Sequence, residues 1–572
     1  MKSEHAKEKM TVARYLTLLI ERLDVDIIPV IQGGVIMKMI DEVGISEKLK
    51  HICPNHEQAL AMMVDTYSRI KGFGVGMVTS GPGAVNLATG IACSFYDSIP
   101  CLYISGQVGN FHVKRERNVR QRGFQETDVV EVLKPITKYS VLLDDPNDAR
   151  YIFEKAVFMA KSGRPGPVLI DLPYDVQRSL VVPKLLRAFE LPKTDINNDL
   201  NENISFVLSQ LNKSKKPLIL VGGGIRLANM EEKIITFIEK ANVPVVTTWG
   251  AADIYPSNYD LHIGNIGKSG NQSAVDAIQK CDLLLCLGTR FTPKNIINEK
   301  HFAENAKIIA VDIDRSELEE GLISIEKKIN CDLNTFIPKI LKSDQLVHFS
   351  GDKWLGFVSS LKSSKYFIDG TVESREKKYV SPYKFVDLLC DQLSHDSVIV
   401  SDAGANLTWV MQAYKHKKGQ RLISAWGNSP MGYAVAGAIG IRLAIPDQST
   451  TVISIIGDGG FQMNIQELQT IVGNKIDIKI FILNNLSYGN IVFGALKEFN
   501  REFGNTKETG YTVPDFIKVS QAYGINTEKI ISDDEISSKL ESILRKKGPV
   551  IVDVNINPMQ DHVETSLIPQ KF

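Results

Sequence analysis

The sequence predicts an α/β protein built from three doubly wound parallel-sheet domains. Short β-branched runs alternate with helical apolar patterns along most of the 572 residues, which is typical of βαβ units. Two polar stretches, 181–201 and 343–381, divide the chain into thirds, and a chain of this length is expected to hold three or four domains. The predicted domains span residues 11–181, 203–342 and 382–557.

The composition is that of a globular protein without a polyanion-binding surface. Lys and Arg number 66 and are balanced by 66 Asp and Glu, so neither nucleic acid nor an anionic membrane is an expected partner. No apolar run reaches the ~18 residues of a membrane span, and the charged N-terminus lacks the pattern of a secretory signal. Seven cysteines form no CxxC pair. We therefore expect buried thiols in a cytoplasmic protein.

The last third carries the strongest local pattern. Thr451–Ile456 predicts a buried strand, Gly457–Gly460 (GDGG) a turn, and Asp477–Leu483 the next strand, which two asparagines end. Parallel neighbours would bring Asp458 and Asn485 to one sheet edge, where oxygen ligands suit Mg²⁺ and glycines admit a diphosphate. Either motif alone is a common turn or strand end. Together they resemble the fingerprint of thiamine diphosphate enzymes.

The first third holds a matching pattern. Asn55 and Gln58 predict a capping box at the start of a helix, and Glu57 in its first turn complements the helix dipole. A strand, the turn Ser80–Gly83 and a helix from Asn86 follow. Beside the GDG and NN motifs, this arrangement resembles the pyrimidine-binding domain of thiamine diphosphate enzymes, in which a glutamate at this place touches the cofactor.

The resemblance extends along the chain from Thr11 to Asn557. The segments GVGMVTSGPGAVNLATGIACSFYDSIPCLYISGQV, GFQETD, GRPGPVLIDLPYDVQ, LVGGGIRLA, GTRF, VDIDRSELE and GDGGFQMNIQELQT with LNN are similar to the acetolactate synthase (acetohydroxyacid synthase) catalytic subunits. That family implies a pyrimidine-binding, a central Rossmann-like and a diphosphate-binding domain. It also implies a homodimer or homotetramer with thiamine diphosphate between subunits, and it allows for a small regulatory subunit.

The resemblance assigns roles to particular residues. Asp458, Asn485 and the Ser487 carbonyl would hold Mg²⁺, and a buried Glu57 would contact the pyrimidine nitrogen. Met431 would support the bent cofactor, whereas ordinary core packing is its alternative role. Gln125 and Phe124 would line the reaction centre. The other implied cofactor contacts are Gly33, Ser80, Gly81, Pro82, Gly83, Asn86, Asn428, Gly457, Gly459, Gly460, Tyr488 and Gly489.

The middle third is expected to bind FAD. Gly222–Gly224 follows a predicted strand, which by itself is weak evidence for a nucleotide site. The resemblance implies FAD here without an obvious redox part in the net reaction. The candidate contacts are Gly224, Arg226, Thr289, Arg290, Asp312 and Asp314.

Three positions depart from the family pattern. Tyr174 stands where the family has lysine, Lys294 where it has arginine, and Gly494 where it has tryptophan. Lysine cannot grip a carboxylate bidentately, and loss of an indole opens space. These changes predict a larger, less carboxylate-selective acceptor pocket. A nearby basic segment is either a solvated loop or a phosphate-binding one; its cations are Lys114, Arg115, Arg117, Arg120 and Arg122.

The leading hypothesis is a thiamine diphosphate-dependent carboligase. It would decarboxylate a 2-keto acid, pyruvate by preference, and transfer the two-carbon unit to a carbonyl acceptor such as a keto-sugar. The alternatives are acetolactate synthase proper, in branched-chain amino acid biosynthesis, and a simple 2-keto acid decarboxylase, or thiamine-dependent cleavage or oxidation. A non-catalytic paralogue is disfavoured because Glu57, Met431, Asp458 and Asn485 are all retained.

Overall fold

A computed structural model describes residues 9–192, 199–365, 376–563 and 565. The fold prediction is confirmed, since each third of the chain contains a parallel sheet with helices around it. In chain order the strands are β1 Met10–Thr11, β2 Ile27–Pro29, β3 Lys50–Ile52, β4 Gly74–Val78, β5 Cys101–Gln107, β6 Tyr139–Leu142, β7 Val168–Pro173, β8 Leu180–Val181, β9 Pro217–Val221, β10 Val245–Thr247, β11 His262–Asn265, β12 Leu283–Leu287, β13 Lys307–Asp312, β14 Lys327–Asn330, β15 Val398–Ser401, β16 Arg421–Ile423, β17 Val452–Gly457, β18 Lys479–Asn484, β19 Asn526–Ile530 and β20 Val550–Asn555.

The α-helices connect these strands in the same order. They span Val12–Ile20, Met37–Gly44, Glu57–Lys71, Pro82–Asn86, Ala88–Tyr96, Val129–Leu133, Ala149–Lys161, Tyr174–Arg178, Leu200–Lys213, Gly224–Leu227, Glu231–Ala241, Gln272–Lys280, Arg315–Glu319, Leu333–Leu341, Asp352–Lys365, Pro382–Gln392, Ala405–Ala413, Tyr433–Ala444, Asp458–Met463, Glu467–Gly473, Gly489–Phe499, Phe516–Ala522 and Ile536–Arg545.

The strand orders are those of doubly wound sheets. The first sheet runs β4-β5-β7-β6, and the parallel pair β2-β3 joins it through a bridge between Val30 and Met77. The central sheet runs β11-β10-β9-β12-β13-β14 and the last runs β16-β15-β17-β18-β20-β19. All ladders in these sheets are parallel, so the carboxyl ends of their strands share one edge.

Both faces of each sheet are covered by apolar side chains. In β9, Ile219 and Val221 pack into one apolar cluster, whereas Leu218 and Leu220 pack into another. Successive side chains of a strand point to opposite faces, so two clusters per sheet mean that helices cover both sides. Continuous apolar runs such as that of β9 are therefore what this fold requires. No helix in the described part of the chain combines the length and the apolar composition needed to cross a membrane.

Four local predictions need correction. The helix at Glu57 is capped by His56, not by an Asn55 capping box, because Asn55 bonds across to Glu467 instead. The helix predicted from Asn86 begins already at Pro82, since proline is pre-organised for a first turn. The residues from Asp458 begin a helix directly rather than a turn. Cys53 is exposed, while the other cysteines are buried.

The predicted linkers lie partly outside the described residues. Within 343–381, the helix Asp352–Lys365 packs on the central sheet through Trp354, Val358 and Leu361, spaced as one helix face. The segment is thus part of a packed domain up to that point. The composition of its ends, rich in Ser and Lys, concealed this apolar face.

A helix pair joins the first and last thirds. Glu57–Lys71 packs against Tyr433–Ala444 at very close range, and glycines permit it. A Cβ at Gly440 would stand 2.3 Å from both the Met63 carbonyl oxygen and the Thr66 hydroxyl oxygen. The hydroxyl of Thr66 also donates to the Gly437 carbonyl. The two domains are therefore fixed relative to each other by backbone-to-backbone contact.

Substituting Gly440 tests this contact. Gly440→Ala should destabilise the protein by about 1–3 kcal/mol, because the added methyl group forces the helices apart. The matched control is Gly356→Ala on the helix Asp352–Lys365, where a Cβ meets nothing within 4 Å and alanine is expected to be neutral or stabilising. Calorimetric unfolding temperatures of both variants give the comparison. Equal unfolding temperatures would contradict the proposed close packing.

A buried ion cluster joins the central and last thirds. Asp253 accepts from Arg226 at 2.9 Å, and from Arg421 and the Leu422 N–H of β16 at 3.1 and 3.0 Å. Burial raises the pKa of this carboxyl, but the two arginines outweigh burial and hold it at about 2. Asp253 is thus an anion between two cations at a domain boundary.

The ion cluster predicts a specific pH dependence. The folded pKa of Asp253 lies below the ordinary value near 3.9, so its contribution of about 2–3 kcal/mol is complete above pH 5 and is lost as the pH falls toward 2. Asp253→Asn should destabilise by about 3–5 kcal/mol at pH 7, since it removes the carboxylate partner of Arg421 and leaves Arg226 with Glu231 alone. In denaturant titrations, the difference in unfolding free energy between the variant and the wild type should become smaller below pH 4. The control is Asp344→Asn, at an exposed position. A difference between Asp253→Asn and wild type that does not change with pH would contradict the role of the Asp253 charge.

Candidate active site

The first group of candidate residues surrounds Glu57. Glu57 is the first residue of its helix, and its Oε2 accepts a hydrogen bond of 3.0 Å from the Asn86 side chain. Its Oε1 lies 3.5 Å from the place a Cβ of Gly83 would take. The carboxylate is half-buried in the single chain, less than we expected. Glu57, Asn86 and the Ser80–Gly83 turn therefore form one surface.

Gln125 completes this first surface. A Cβ at Gly81 would stand 2.4 Å from the Gln125 carbonyl oxygen, and Gly81 has a φ of +59°, so only glycine suits this contact. Gln125 itself has a φ of +60°, and the neighbouring Phe124 ring is 85% exposed. Ser80 Oγ is buried and has no hydrogen-bond partner within the described chain. The turn thus holds a buried polar atom without a partner among the described residues, and it touches the segment that carries the exposed Phe124 ring.

The second group surrounds Asp458. The parallel register pairs Gly457 with Leu483, which brings Asp458 beside the loop that follows β18. Asp458 is 2% exposed, and its Oδ1 accepts from the Tyr511 hydroxyl at 2.9 Å and from the Gly459 N–H at 2.6 Å. Its Oδ2 is buried without a partner among the described residues. Burial raises the pKa of this carboxyl to about 6, although these donors partly offset it.

The loop after β18 supplies further oxygen atoms. Asn485 and Ser487 are buried, and the Asn485 amide nitrogen donates to Ser487 Oγ at 2.9 Å. Leu486 between them has a φ of +55°, and the backbone N–H groups of Leu486 and Ser487 face the Asp458 carboxylate. A carboxylate, an amide and a strained turn thus meet in one buried place. Such an oxygen-rich set suits a hard divalent cation.

Glycines allow neighbouring side chains to approach the backbone beside Asp458 closely. A Cβ at Gly459 would stand 2.4 Å from the Tyr488 ring and 2.9 Å from the end of Met431, and one at Gly460 would stand 2.0 Å from Asp402 Oδ2. Met431 is half-buried and lies over this helix start. The glycines are therefore required by close approach, and Met431 is not an ordinary core residue.

Two residues of this group were not among those predicted from the sequence. Tyr511 lies 53 positions after Asp458, and nothing local to Tyr511 marks it as a partner. Asp402 is fully buried and accepts the N–H groups of Gly432 and Ala434 at 2.9 and 3.2 Å, so it fixes the backbone next to Met431. Burial raises the pKa of the Asp402 carboxyl to about 7 despite these donors. Its place after β15, a parallel strand, is the signal that could have found it.

Exposed apolar side chains border both groups. Phe124 in the first group and Met463, Leu486 and Ile491 around the second are exposed apolar side chains. Asn428, an expected cofactor contact, donates to the Thr89 carbonyl at 3.2 Å. The remaining expected contacts lie where their elements put them: Gly33 against Thr79, Pro82 in the first turn of its helix, and Tyr488 and Gly489 at the start of the helix Gly489–Phe499.

A cavity of about 610 Å³ lies between the three domains. Its lining includes four of the six residues expected to contact FAD, namely Gly224, Arg226, Arg290 and Asp312. Thr289 is buried beside it, and Asp314 instead pairs with Arg164 at 2.9 Å. Arg226 Nε is buried without a hydrogen-bond partner among the described residues. The volume and the polar groups are in the range of a small-molecule site.

The three expected acceptor residues have different surroundings. Tyr174 is half-buried beside Phe111, with ring centroids 6.3 Å apart. Lys294 lines the central cavity as an exposed residue, its Nζ lies 4.1 Å from the Trp249 ring centroid, and partial desolvation by the cavity walls lowers its pKa. Gly494 lies on the exposed side of its helix, where a Cβ would meet nothing within 4 Å. One chain does not assemble a pocket from these three residues.

Comparisons with known proteins identify the family. Three family models match in order: the N-terminal TPP binding domain of thiamine pyrophosphate enzymes at residues 10–132, their central domain at 204–340, and their C-terminal TPP binding domain at 402–554. Together they cover most of the chain.

Individual relatives point the same way. The chain is 32% identical to the acetolactate synthase large subunit of Lactococcus lactis, over 97% of this chain and 94% of that protein. It is 31% identical to the Corynebacterium glutamicum acetolactate synthase large subunit, with coverages of 96% and 87%, and 31% identical to a probable acetolactate synthase large subunit of Methanocaldococcus jannaschii, with coverages of 92% and 89%. The resemblance inferred from the motifs is confirmed. The chain belongs to the acetolactate synthase large-subunit family of thiamine diphosphate enzymes and is an enzyme of their transferase or lyase type.

Proposed function

We propose that this enzyme is a 2-keto acid carboligase with pyruvate as donor. Pyruvate loses carbon dioxide, and the remaining two-carbon unit forms a carbon–carbon bond with the carbonyl carbon of an acceptor, whose oxygen takes up a proton. The reaction needs no external oxidant or reductant. The relatives are named for acetolactate synthesis, so a second 2-keto acid is the acceptor we expect first. The buried Asp458 carboxylate beside the loop after β18 is the observation on which the proposal depends.

The residues around Asp458 suit Mg²⁺ and a diphosphate. Asp458 Oδ2 has no partner among the described residues, and a cation there would offset the cost of burying the carboxylate. The Asn485 nitrogen already donates to Ser487, so the amide oxygen is the atom left to act as a ligand, together with the Ser487 carbonyl. The glycines at 459 and 460 let Tyr488, Met431 and Asp402 approach the backbone beside Asp458 closely. Oxygen ligands completed by phosphates are the usual Mg²⁺ environment.

The chain's own groups have separate tasks around the cofactor. When bound, thiamine diphosphate supplies the electron sink that allows the keto acid to lose carbon dioxide. Glu57, held by Asn86, would exchange a proton with the pyrimidine nitrogen. Gln125 would stabilise negative charge that develops on a substrate oxygen, and Phe124 would exclude water. Met431 would keep the cofactor bent, on a loop that Asp402 fixes.

The active site is proposed to form between two copies of the chain. Glu57 and Asp458 belong to two surfaces that both carry exposed apolar side chains, such as Phe124 on the first and Ile491 on the second. Pairing the first surface of one copy with the second of another would bury them and bring Glu57 over the cofactor. A homodimer is the smallest assembly that meets this need, and a tetramer is a pair of such dimers.

The central cavity is proposed to hold FAD. Backbone groups approach closely there, since a Cβ at Gly222 would stand 2.0 Å from the Gly288 carbonyl oxygen. Arg226 offers an Nε without a partner among the described residues, and Arg290 and Asp312 line the same space. Such glycine turns and a free guanidinium nitrogen suit the phosphates of a dinucleotide.

Replacing Asp458 tests the metal site. Asp458→Ala should abolish Mg²⁺-dependent retention of thiamine diphosphate, because it removes the charged ligand. Titration calorimetry of thiamine diphosphate, with and without Mg²⁺, measures this. The control is Asp344→Asn, on the exposed surface. Unchanged, Mg²⁺-dependent affinity in Asp458→Ala would remove Asp458 from the site.

Labelled pyruvate tests the reaction. Mass spectrometry of products from ¹³C-pyruvate, alone and with 2-ketobutyrate, should show acetohydroxy acids with label in the transferred unit. Glu57→Gln should lower turnover by about 100-fold or more while leaving the fold intact, since it cannot exchange a proton in the same way. Acetaldehyde as the only product would favour a simple decarboxylase instead. Near-normal turnover of Glu57→Gln would exclude its proposed role.

A larger carbonyl acceptor is the second candidate. The departure that favours it is Gly494, at which this chain lacks the tryptophan that the family resemblance implies and where a Cβ would meet nothing within 4 Å. Competition between 2-ketobutyrate and bulkier carbonyl compounds in the labelled-pyruvate experiment separates the two candidates. Exclusive use of small keto acids would eliminate the second one.

A further inference from the structure

We propose that the loop Lys114–Arg122 binds the phosphate group of the acceptor, through Arg120 and Arg122. This inference rests on the proposed carboligase function with its second candidate, a larger carbonyl acceptor, and names the substrate class of the same site. The ligand chemistry is a carbonyl compound that carries a phosphate or diphosphate.

The loop is folded around one buried carboxylate. Glu126 is 8% exposed and accepts the backbone N–H groups of Lys114, Arg122 and Gly123, the last two at 2.8 and 3.2 Å. The Gln121 side chain donates to the Glu126 carbonyl at 2.9 Å. These bonds close the loop on itself, so its arginines project from an ordered backbone. The loop therefore differs from a freely solvated charged segment.

The cations of the loop are not equivalent. Arg115 pairs with Asp144 at 3.0 Å and also donates to Asn110, and Arg117 donates to the Lys114 carbonyl. In contrast, the exposed guanidinium groups of Arg120 and Arg122 make no hydrogen bond or ion pair with any described residue. Two available guanidinium groups, two positions apart, suit a phosphate, which arginine can grip bidentately.

The loop ends beside the first surface, which contains Glu57, the Ser80–Gly83 turn and Gln125. Arg122 precedes Phe124 and Gln125 by two and three positions, and the Gln125 carbonyl touches the turn at Gly81. That turn continues to Gly83, which lies beside the Glu57 carboxylate. A phosphate held by Arg120 and Arg122 would thus be anchored at the rim of the surface where the carbonyl must react. Remote binding of this kind orients the reacting group.

A matched pair of acceptors isolates the phosphate. With ¹³C-pyruvate as donor, the kcat/KM for glyceraldehyde 3-phosphate should exceed that for glyceraldehyde by about 10-fold or more, the scale of charge-assisted hydrogen bonds. The double variant Arg120→Ala/Arg122→Ala should reduce this ratio to near one. The control Lys213→Ala/Lys215→Ala removes two exposed cations from the central domain and should keep the wild-type ratio. Added salt should lower the ratio in wild type.

Binding measured without turnover separates this inference from the proposed function. Glycerol 3-phosphate and a nucleoside diphosphate, titrated calorimetrically into the thiamine diphosphate- and Mg²⁺-loaded enzyme, should bind about 10-fold more weakly to the arginine double variant. Stronger binding of the diphosphate would identify it as the natural group. Arginine-dependent binding without pyruvate consumption would support the loop and refute the carboligase. If products form from pyruvate but the ratio of kcat/KM for glyceraldehyde 3-phosphate to that for glyceraldehyde is the same in wild type and the double variant, only the phosphate site is refuted.

Discussion

The close contact between the helices Glu57–Lys71 and Tyr433–Ala444 determines how the first and last domains face each other. Gly437 and Gly440 allow backbone approach, and charged groups complete the seam: Asp65 bonds to the Tyr433 hydroxyl and to Arg69. Arg69 also forms an ion pair with Asp97, and Asp97 accepts hydrogen bonds from the N–H groups of Trp426 and Gly427, both at 2.8 Å. Since Glu57 and Met431 lie at the ends of these elements, the seam also fixes the candidate site residues.

A buried carboxylate lies at or beside each candidate site. Asp253 is balanced by two arginines, Asp402 by backbone N–H groups, and Glu126 by the N–H groups of the basic loop. Asp458 is only half satisfied, because one of its oxygens has no partner among the described residues. A buried carboxylate is costly unless its charge is compensated. The incomplete case is therefore where we propose a cation, whereas the complete cases hold backbone in place.

The sequence by itself determined the fold class and the two groups of candidate residues around Glu57 and Asp458. Continuous apolar runs such as that of β9 require sheets covered on both faces, and alternation with helical patterns requires parallel strands. Asp458 and Asn485 follow successive strands, so parallel pairing alone places them together. These features are local or depend on strand order, which a single sequence encodes. The family resemblance carried the roles of Glu57 and Met431, which spacing could not supply.

Only the tertiary structure decided the long-range partners. Tyr511 on Asp458, Asp402 beside Met431, and Glu467 on Asn55 join positions far apart in the chain, and no periodicity links them. The same limit explains why Asn55 does not cap the helix. Its backbone N–H donates to the buried carboxylate of Glu467, which belongs to another domain. It also explains why Lys294 lies in the central cavity while Gly494 faces outward. Local propensity fixes elements, but the packing of domains selects which side chains meet.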